Sequence, residues 1–273
     1  MRVGFIGLGS QGAPMARRIV EAGHPLGIWA RRPETLEQFA DTAASVSRSP
    51  AELAANSDVV CLCVVDDADV ESVMSGDEGV LAGLAAGGVV TIHATVHPDT
   101  CRRMGEHAAE GGVTVIDAPV SGGGPAAAEG KLLVMVGGDE AVVERVRPVF
   151  ATYGDPVLHL GPLGTGQLAK LLNNFVFTAQ LTAATETYDF AARLGMDRAA
   201  IAEVLASGSG GSRAAAIVAG TAFDISGLRQ VAATLLAKDV GIMLDVAQRA
   251  GVAAPQHVAE LARSTLETLA PGD

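Results

Sequence analysis

The segment GPLGTGQLAKLLNN, residues 161–174, sets one lysine and two asparagines inside an apolar helical pattern. Lys170, Asn173 and Asn174 stand at i, i+3 and i+4, a spacing that gathers them on one side of a helix. A lysine with apolar neighbours has its pKa lowered by desolvation. It can then take a proton from an alcohol, or return one to an alkoxide, near neutral pH. Asn174 would orient the same oxygen or the lysine. On spacing alone the trio fits equally well a lysine whose stem lies along the helix with its head in water, beside two surface amides.

A second polar cluster, DAPVSGGG at residues 117–124, closes a predicted strand at 113–119. Open α/β sheets bind ligands at such carboxyl ends. Successive N–H groups from Ser121, Gly122 and Gly123, with the Ser121 hydroxyl, would form a small anion nest suited to a substrate carboxylate. The bland alternative is a flexible glycine loop.

A third cluster is Gly7-Leu8-Gly9-Ser10-Gln11-Gly12, a G-x-G-x-x-G run between a predicted strand and a predicted helix. In that context Gly7 permits the tight turn, Gly9 admits a pyrophosphate to the backbone, and Gly12 allows close helix–strand packing. The N–H groups near Ser10 and Gln11 would face the phosphate charge. The second strand ends in Ala30-Arg31-Arg32-Pro33, where a site for NAD(H) would carry a carboxylate for the ribose 2′-hydroxyl. Two guanidinium groups clamp a 2′-phosphate instead. NADP(H) is therefore expected over NAD(H).

The elements that must position these groups alternate from the N-terminus. Apolar runs at 2–6, 25–30, 58–65, 87–94, 113–119 and 131–138 read as strands, with helical stretches between them. The continuous run 58–65 suits a central parallel strand buried on both faces. Alternation of this kind predicts a doubly wound α/β domain over residues 1–161. The texture then changes. Residues 167–194 contain neither Gly nor Pro, which allows roughly 42 Å of helix. Helices are expected near 197–206, 212–219, 227–250 and 255–269, with no strand, so residues 162–273 read as an all-α domain built on one long helix. The lysine segment falls where the two expected domains join, and ligand clefts favour such places.

Bulk properties exclude several classes. The chain has 273 residues, 49% of them apolar and 4% aromatic, and a formal net charge of -12. That charge argues against nucleic acid or an anionic membrane as partner. The apolar runs are too short to span a bilayer, and MRVGFIGLG is read as lacking the charged, apolar and cleavage regions of a signal peptide. The three cysteines, Cys61, Cys63 and Cys101, show no metal-ligand spacing. They are read as buried, reduced thiols in a cytoplasmic protein that binds no metal.

Four ordered motifs together resemble the β-hydroxyacid dehydrogenase family, which includes the 3-hydroxyisobutyrate dehydrogenases. They are GLGSQGAPMA (7–16), DAPVSGG (117–123), GPLGTGQLAKLLNN (161–174) and the Lys238-Asp239 pair. The last but one matches G-x-x-G-x-G-x-x-x-K-x-x-N-N at every fixed position. The resemblance implies Lys170 as acid/base, assisted by Asn174. It implies Ser121, Gly122 and Gly123 as the carboxylate grip, with Asn173 beside the substrate. Val64 and Val65 would line the nucleotide cleft, Thr95 would contact the cofactor near its nicotinamide ribose, and Lys238 would reach it as well. A homodimer or higher oligomer is implied, acting on a small β-hydroxyacid or carboxylated semialdehyde. Departures are Gln11 where the family has Met, and His93-Ala94-Thr95 where it has D-x-S-T. They keep open an imine reductase or reductive aminase of the same fold, although such enzymes generally lack the lysine. A non-catalytic NADPH-binding scaffold is the third reading. His93 and His97 are read as strand-end and helix-entry residues with ordinary hydrogen bonds.

Overall fold

In the computed structural model, which describes residues 1–230 and 232–270, the chain divides into two compact units, Met1–Lys170 and Leu171–Asp273. The expected division at residue 161 and this one bracket the start of the same long helix.

The first unit is built on six parallel strands. They are β1 (Val3–Ile6), β2 (Leu26–Trp29), β3 (Ser45–Val46), β4 (Val59–Leu62), β5 (Val89–Ile92) and β6 (Thr114–Asp117). Their order is β3-β2-β1-β4-β5-β6. The chain thus winds outward one way from β1 and the other way from β4. Ile6 pairs with Leu62 at the carboxyl ends of these two strands, the switch point where such sheets open a crevice for ligands. Helices α1 (Gly12–Glu21), α2 (Pro50–Ala55), α3 (Asp67–Met74), α4 (Val80–Gly83) and α5 (Pro98–Glu110) connect the strands.

Strand residues alternate between two buried cores. Phe5, Cys61 and Ile116 pack with Met15, Ala16 and Ile19 of α1 on one side. Ile6, Leu62 and Ile92 pack with Leu53, Met74 and Cys101 of α2, α3 and α5 on the other. Because both faces are covered, the central strands read as unbroken apolar runs. Each fully buried Ile, Leu or Phe contributes on the order of 2 kcal/mol.

The run at 131–138, expected as a further strand of that sheet, belongs to a separate one. There β7 (Val120–Ser121) pairs antiparallel with β8 (Leu132–Val136), which pairs parallel with β9 (Gly154–His159). Helices α6 (Gly123–Ala128) and α7 (Glu140–Phe150) complete this part. An antiparallel bridge between Asp117 and Gly137 links the two sheets. β9 gave no sequence signal, since Pro156 breaks its pattern; proline is tolerated there because β9 lies at an edge. β3 was equally silent, with only two residues, both exposed.

The second unit is helical: most of α8 (Thr165–Arg193), then α9 (Arg198–Ser207), α10 (Arg213–Gly220), α11 (Ala233–Arg249) and α12 (Gln256–Leu269). The single helix expected over 227–250 is two pieces, a 3-10 segment Ile225–Gln230 and then α11; residue 231 lies outside the described residues. The α8 face bearing Leu181, Ala184 and Tyr188 packs with Ala214, Val218 and Leu236. A buried hydroxyl ladder adds to this: Thr265 Oγ1 donates to the Thr178 carbonyl at 2.7 Å and accepts from the Thr182 N–H at 3.1 Å. Among the described residues no helix is long and apolar enough to cross a membrane.

Candidate active site

The turn after β1 is shaped by its glycines. Gly7 has φ +99°, and a Cβ there would collide with the Cys63 carbonyl. A Cβ on Gly12 would strike the Gly7 carbonyl. Gly9 differs: a Cβ there would meet nothing within 4 Å. Packing therefore demands glycine at two positions and leaves open space at the third, where a ligand can approach the backbone.

The helix start agrees. Ser49, Asp66, His97 and Asp139 each accept a backbone N–H at the N-termini of α2, α3, α5 and α7. Gln11, at the head of α1, makes no such bond, and the first turn holds no acidic residue. The Ala13 N–H donates to the Gly9 carbonyl at 3.0 Å; the remaining start of the helix and the positive end of its dipole suit an anion. Beside this turn lies a cleft of about 150 Å³, lined among others by Gly7, Leu8, Gly9, Ala30, Arg31, Arg32, Val64 and Val65. Open space at Gly9, an uncapped α1 and two cleft-lining arginines fit a dinucleotide. Val65 is 59% exposed at the cleft mouth. Arg31 pairs with Asp69 at 2.7 Å.

The 117–124 segment is more ordered than a flexible loop. Ser121 ends β7, paired with Leu133, and Gly122 and Gly123, the cap and first residue of α6, have φ +133° and +75°. A Cβ on Gly124 would lie 2.6 Å from the Ser10 carbonyl, so this segment abuts the G-x-G-x-x-G turn.

Asp117 ties these pieces to the start of α8. It has no exposed surface, and its two carboxylate oxygens accept from the Gly164 and Gln167 N–H groups, each at 2.6 Å. A Cβ on Gly166 would press on Asp117 Oδ2 at 2.8 Å, and one on Gly137 would collide with Oδ1. Gly164 has φ +96°. The glycine spacing before Lys170 thus makes a cradle for one carboxylate. Burial outweighs the two N–H bonds and pushes this carboxyl up to about 6.

Gln167, fully buried, carries the connection further. Its Nε2 donates to the Ala94 carbonyl at 2.8 Å, and its Oε1 accepts from the Val96 N–H at 3.1 Å. It therefore clamps the backbone on both sides of Thr95. Lys170, half-buried, follows three residues later on α8.

In the second unit, Asn174 Nδ2 donates to Asp239 Oδ2 at 2.6 Å, and Asn173 Nδ2 donates to Asn174 Oδ1 at 3.0 Å. The other Asp239 oxygen lies 3.0 Å from Lys238 Nζ. Asp239 is 4% exposed and orders both Asn174 and Lys238.

His93 is a core residue. Its Nδ1 donates to the Ala118 carbonyl at 2.7 Å. A carbonyl only accepts, so Nε2 is left to accept from the Thr91 and Tyr153 hydroxyls at 3.1 and 3.2 Å. Burial pushes its pKa down to about 4, and a ring held neutral in this way braces β5 against β6. His97 enters α5: its Nδ1 accepts from the Asp99 N–H at 3.0 Å. Burial likewise pushes the Cys61 and Cys63 thiols up to about 12. Among the described residues no cluster of His, Cys, Asp or Glu is arranged to hold a metal.

Sequence reading singled out neither Gln167 nor Asp69. Gln167 stood in plain view, a polar residue one turn before Lys170. Asp69 left no trace, since its partner is 38 residues away.

Comparison with known proteins finds matches to both parts of the chain. Residues 2–161 match the model of the NAD-binding domain of 6-phosphogluconate dehydrogenase. Residues 164–272 match the model described as NAD-binding of NADP-dependent 3-hydroxyisobutyrate dehydrogenase. An NAD-dependent L-serine dehydrogenase from Pseudomonas aeruginosa is 33% identical over 263 residues, covering 93% of this chain and 88% of that protein. The Mycobacterium tuberculosis 3-hydroxyisobutyrate dehydrogenase with L-serine superposes with a TM-score of 0.84 at 28% identity, covering 98% of both chains. Psf3 in complex with NADP+ and 2-OPP gives a TM-score of 0.85 at 27% identity, covering 97% of this chain and 93% of that one.

Proposed function

We propose, starting from the fact that this chain belongs to the β-hydroxyacid dehydrogenase family, that it is an NADP(H)-dependent oxidoreductase of small carboxylated semialdehydes and β-hydroxyacids. The observation that carries this reading is the Asp117–Gln167 clamp. It fixes the start of the Lys170 helix to the backbone around Thr95 and to the strand that leads into Ser121. A lysine held in that way is suited to proton transfer, which rewards fixed geometry.

The bound nicotinamide would supply or accept the hydride. The turn from Gly7 to Gly12 and the head of α1 would hold the pyrophosphate, with Leu8, Ala30, Val64 and Val65 along the cleft. Arg31 and Arg32 would meet the 2′-phosphate, Thr95 would contact the nicotinamide ribose, and Lys238 would reach the cofactor as well. Ser121, Gly122 and Gly123 would hold the substrate carboxylate, with Asn173 close by. Lys170 Nζ gives a proton to the developing alkoxide in reduction, or takes one from the hydroxyl in oxidation. Asn174, steadied by Asp239, orients the reacting oxygen. Two of the similar proteins carry L-serine in their descriptions. Serine is itself a β-hydroxyacid, which supports the substrate class.

The test is NADPH oxidation with aldehydes matched for size, with and without a carboxylate, and with cyclic imines. Carboxylated aldehydes should turn over, and Lys170→Ala should lower kcat by about 100-fold or more with NADPH affinity nearly unchanged. Retention of kcat in the variant would remove Lys170 from the mechanism. Turnover of imines alone would move the chain to the imine reductases.

A further inference from the structure

The cleft beside the glycine turn contains a carboxylate that the nucleotide reading does not use. Asp69, in the first turn of α3, lines the cleft opposite Arg31. Its two oxygens have separate partners. Oδ2 accepts from the Val65 N–H at 3.2 Å, and Oδ1 pairs with Arg31 Nη2 at 2.7 Å. The two sides differ in freedom. The Asp69 side chain is 15% exposed, whereas that of Arg31 is 65% exposed. The Asp69 N–H also donates to Asp66 Oδ1 at 2.9 Å, which fixes the helix start beneath it. Asp69 is thus a fixed, half-buried anchor, and Arg31 is an exposed arm paired to it from the end of β2.

Arg31 is one of the two guanidinium groups expected to meet a 2′-phosphate, and Arg32 is exposed beside it. A phosphate arriving there must draw Arg31 from a carboxylate already neutralising it, and must bring its own negative charge close to Asp69. A ribose 2′-hydroxyl meets neither obstacle, since it is neutral.

We propose that Asp69 sets the chain's discrimination between the two dinucleotides, holding Arg31 and so weakening the grip on a 2′-phosphate without weakening the site for the rest of the cofactor. The proposal rests on the reading that Arg31 and Arg32 bind that phosphate. The pair is largely solvent-exposed on the arginine side, so its effect is moderate and screened by salt.

The experiment measures dissociation constants for NADPH and NADH by cofactor fluorescence, on the full chain without substrate. The proteins are the unmodified chain, Asp69→Asn, and Arg31→Ala with Arg32→Ala. Asp69→Asn keeps an oxygen for the Val65 N–H and removes the charge. It should tighten NADPH about three- to tenfold at low salt, less at high salt, and leave NADH within about twofold. A melting temperature equal to that of the unmodified chain serves as the control for folding. An unaltered ratio of the two constants, or weaker NADPH binding, would overturn the proposal; the second result would make Asp69 a group that presents Arg31 to the phosphate. Failure of the underlying reading looks different. In that case the double arginine variant would bind NADPH as well, relative to NADH, as the unmodified chain does.

Discussion

Asp117 shows how much one side chain can be asked to do. It is buried, its charge is met by backbone N–H groups at the start of α8, and Arg102 favours that charge only through space. Its carboxyl is raised from 3.8 to about 6 by burial. The unfolded chain therefore ionises it first as pH rises. Its contribution to stability is complete below the unfolded value and is lost as pH climbs through about 6. Asp117→Asn should destabilise at every pH, by about 1–3 kcal/mol, because an amide N–H would face a backbone N–H. It should also abolish this titration. The stability advantage of the unmodified chain over the variant should thus shrink by about 2 kcal/mol between about pH 4 and about pH 7. Urea unfolding of both proteins across that range checks it, and a constant difference would refute it. Among residues, the glycines and Lys170 were legible because their signal is local. Asp117 was visible only as the head of a motif, since its contacts lie 47 and 50 residues away. Periodicity in sequence carries nothing over such a separation.

At the scale of elements, the β1–α1 turn separates folding from binding. Gly12→Ala would strike backbone, so its failure would say little about ligand. Gly9→Ala places a methyl group in space that the protein leaves empty. Its melting temperature should match that of the unmodified chain, while NADPH binds about tenfold or more weakly, an expected loss of about 1.4 kcal/mol or more. Equal affinity would show that no phosphate lies against this turn. The main strands and α8 could be read in advance because burial on two faces and an uninterrupted helical run both leave strong patterns. The second sheet could not. β8 is as apolar as its neighbours, and what assigns it elsewhere is antiparallel pairing with β7, a two-residue strand. The break before α11 was hidden in a run that reads as continuous helix.

At the scale of the whole molecule, the largest exposed apolar side chains are concentrated in the second unit, among them Leu172, Val176, Phe190, Leu194, Val204 and Val252. Leu172 and Val176, four residues apart on α8, lie on one side of that helix, and contiguous exposed apolar surface serves association. Sedimentation equilibrium should give twice the chain mass of 27.6 kDa or a higher multiple. Phe190→Glu with Leu194→Glu should shift the population toward single chains. A monomer in the unmodified protein would end this reading. Helix α8 runs unbroken through the border at Lys170 and Leu171. The two units are not interchangeable modules. A cut at that border would hand Lys170 to one fragment and Asn174 to the other. Recombining halves from related enzymes would succeed only with the crossover placed upstream, near Gly161, and with Asp117 and Gly137 retained in the recipient to receive the transplanted helix.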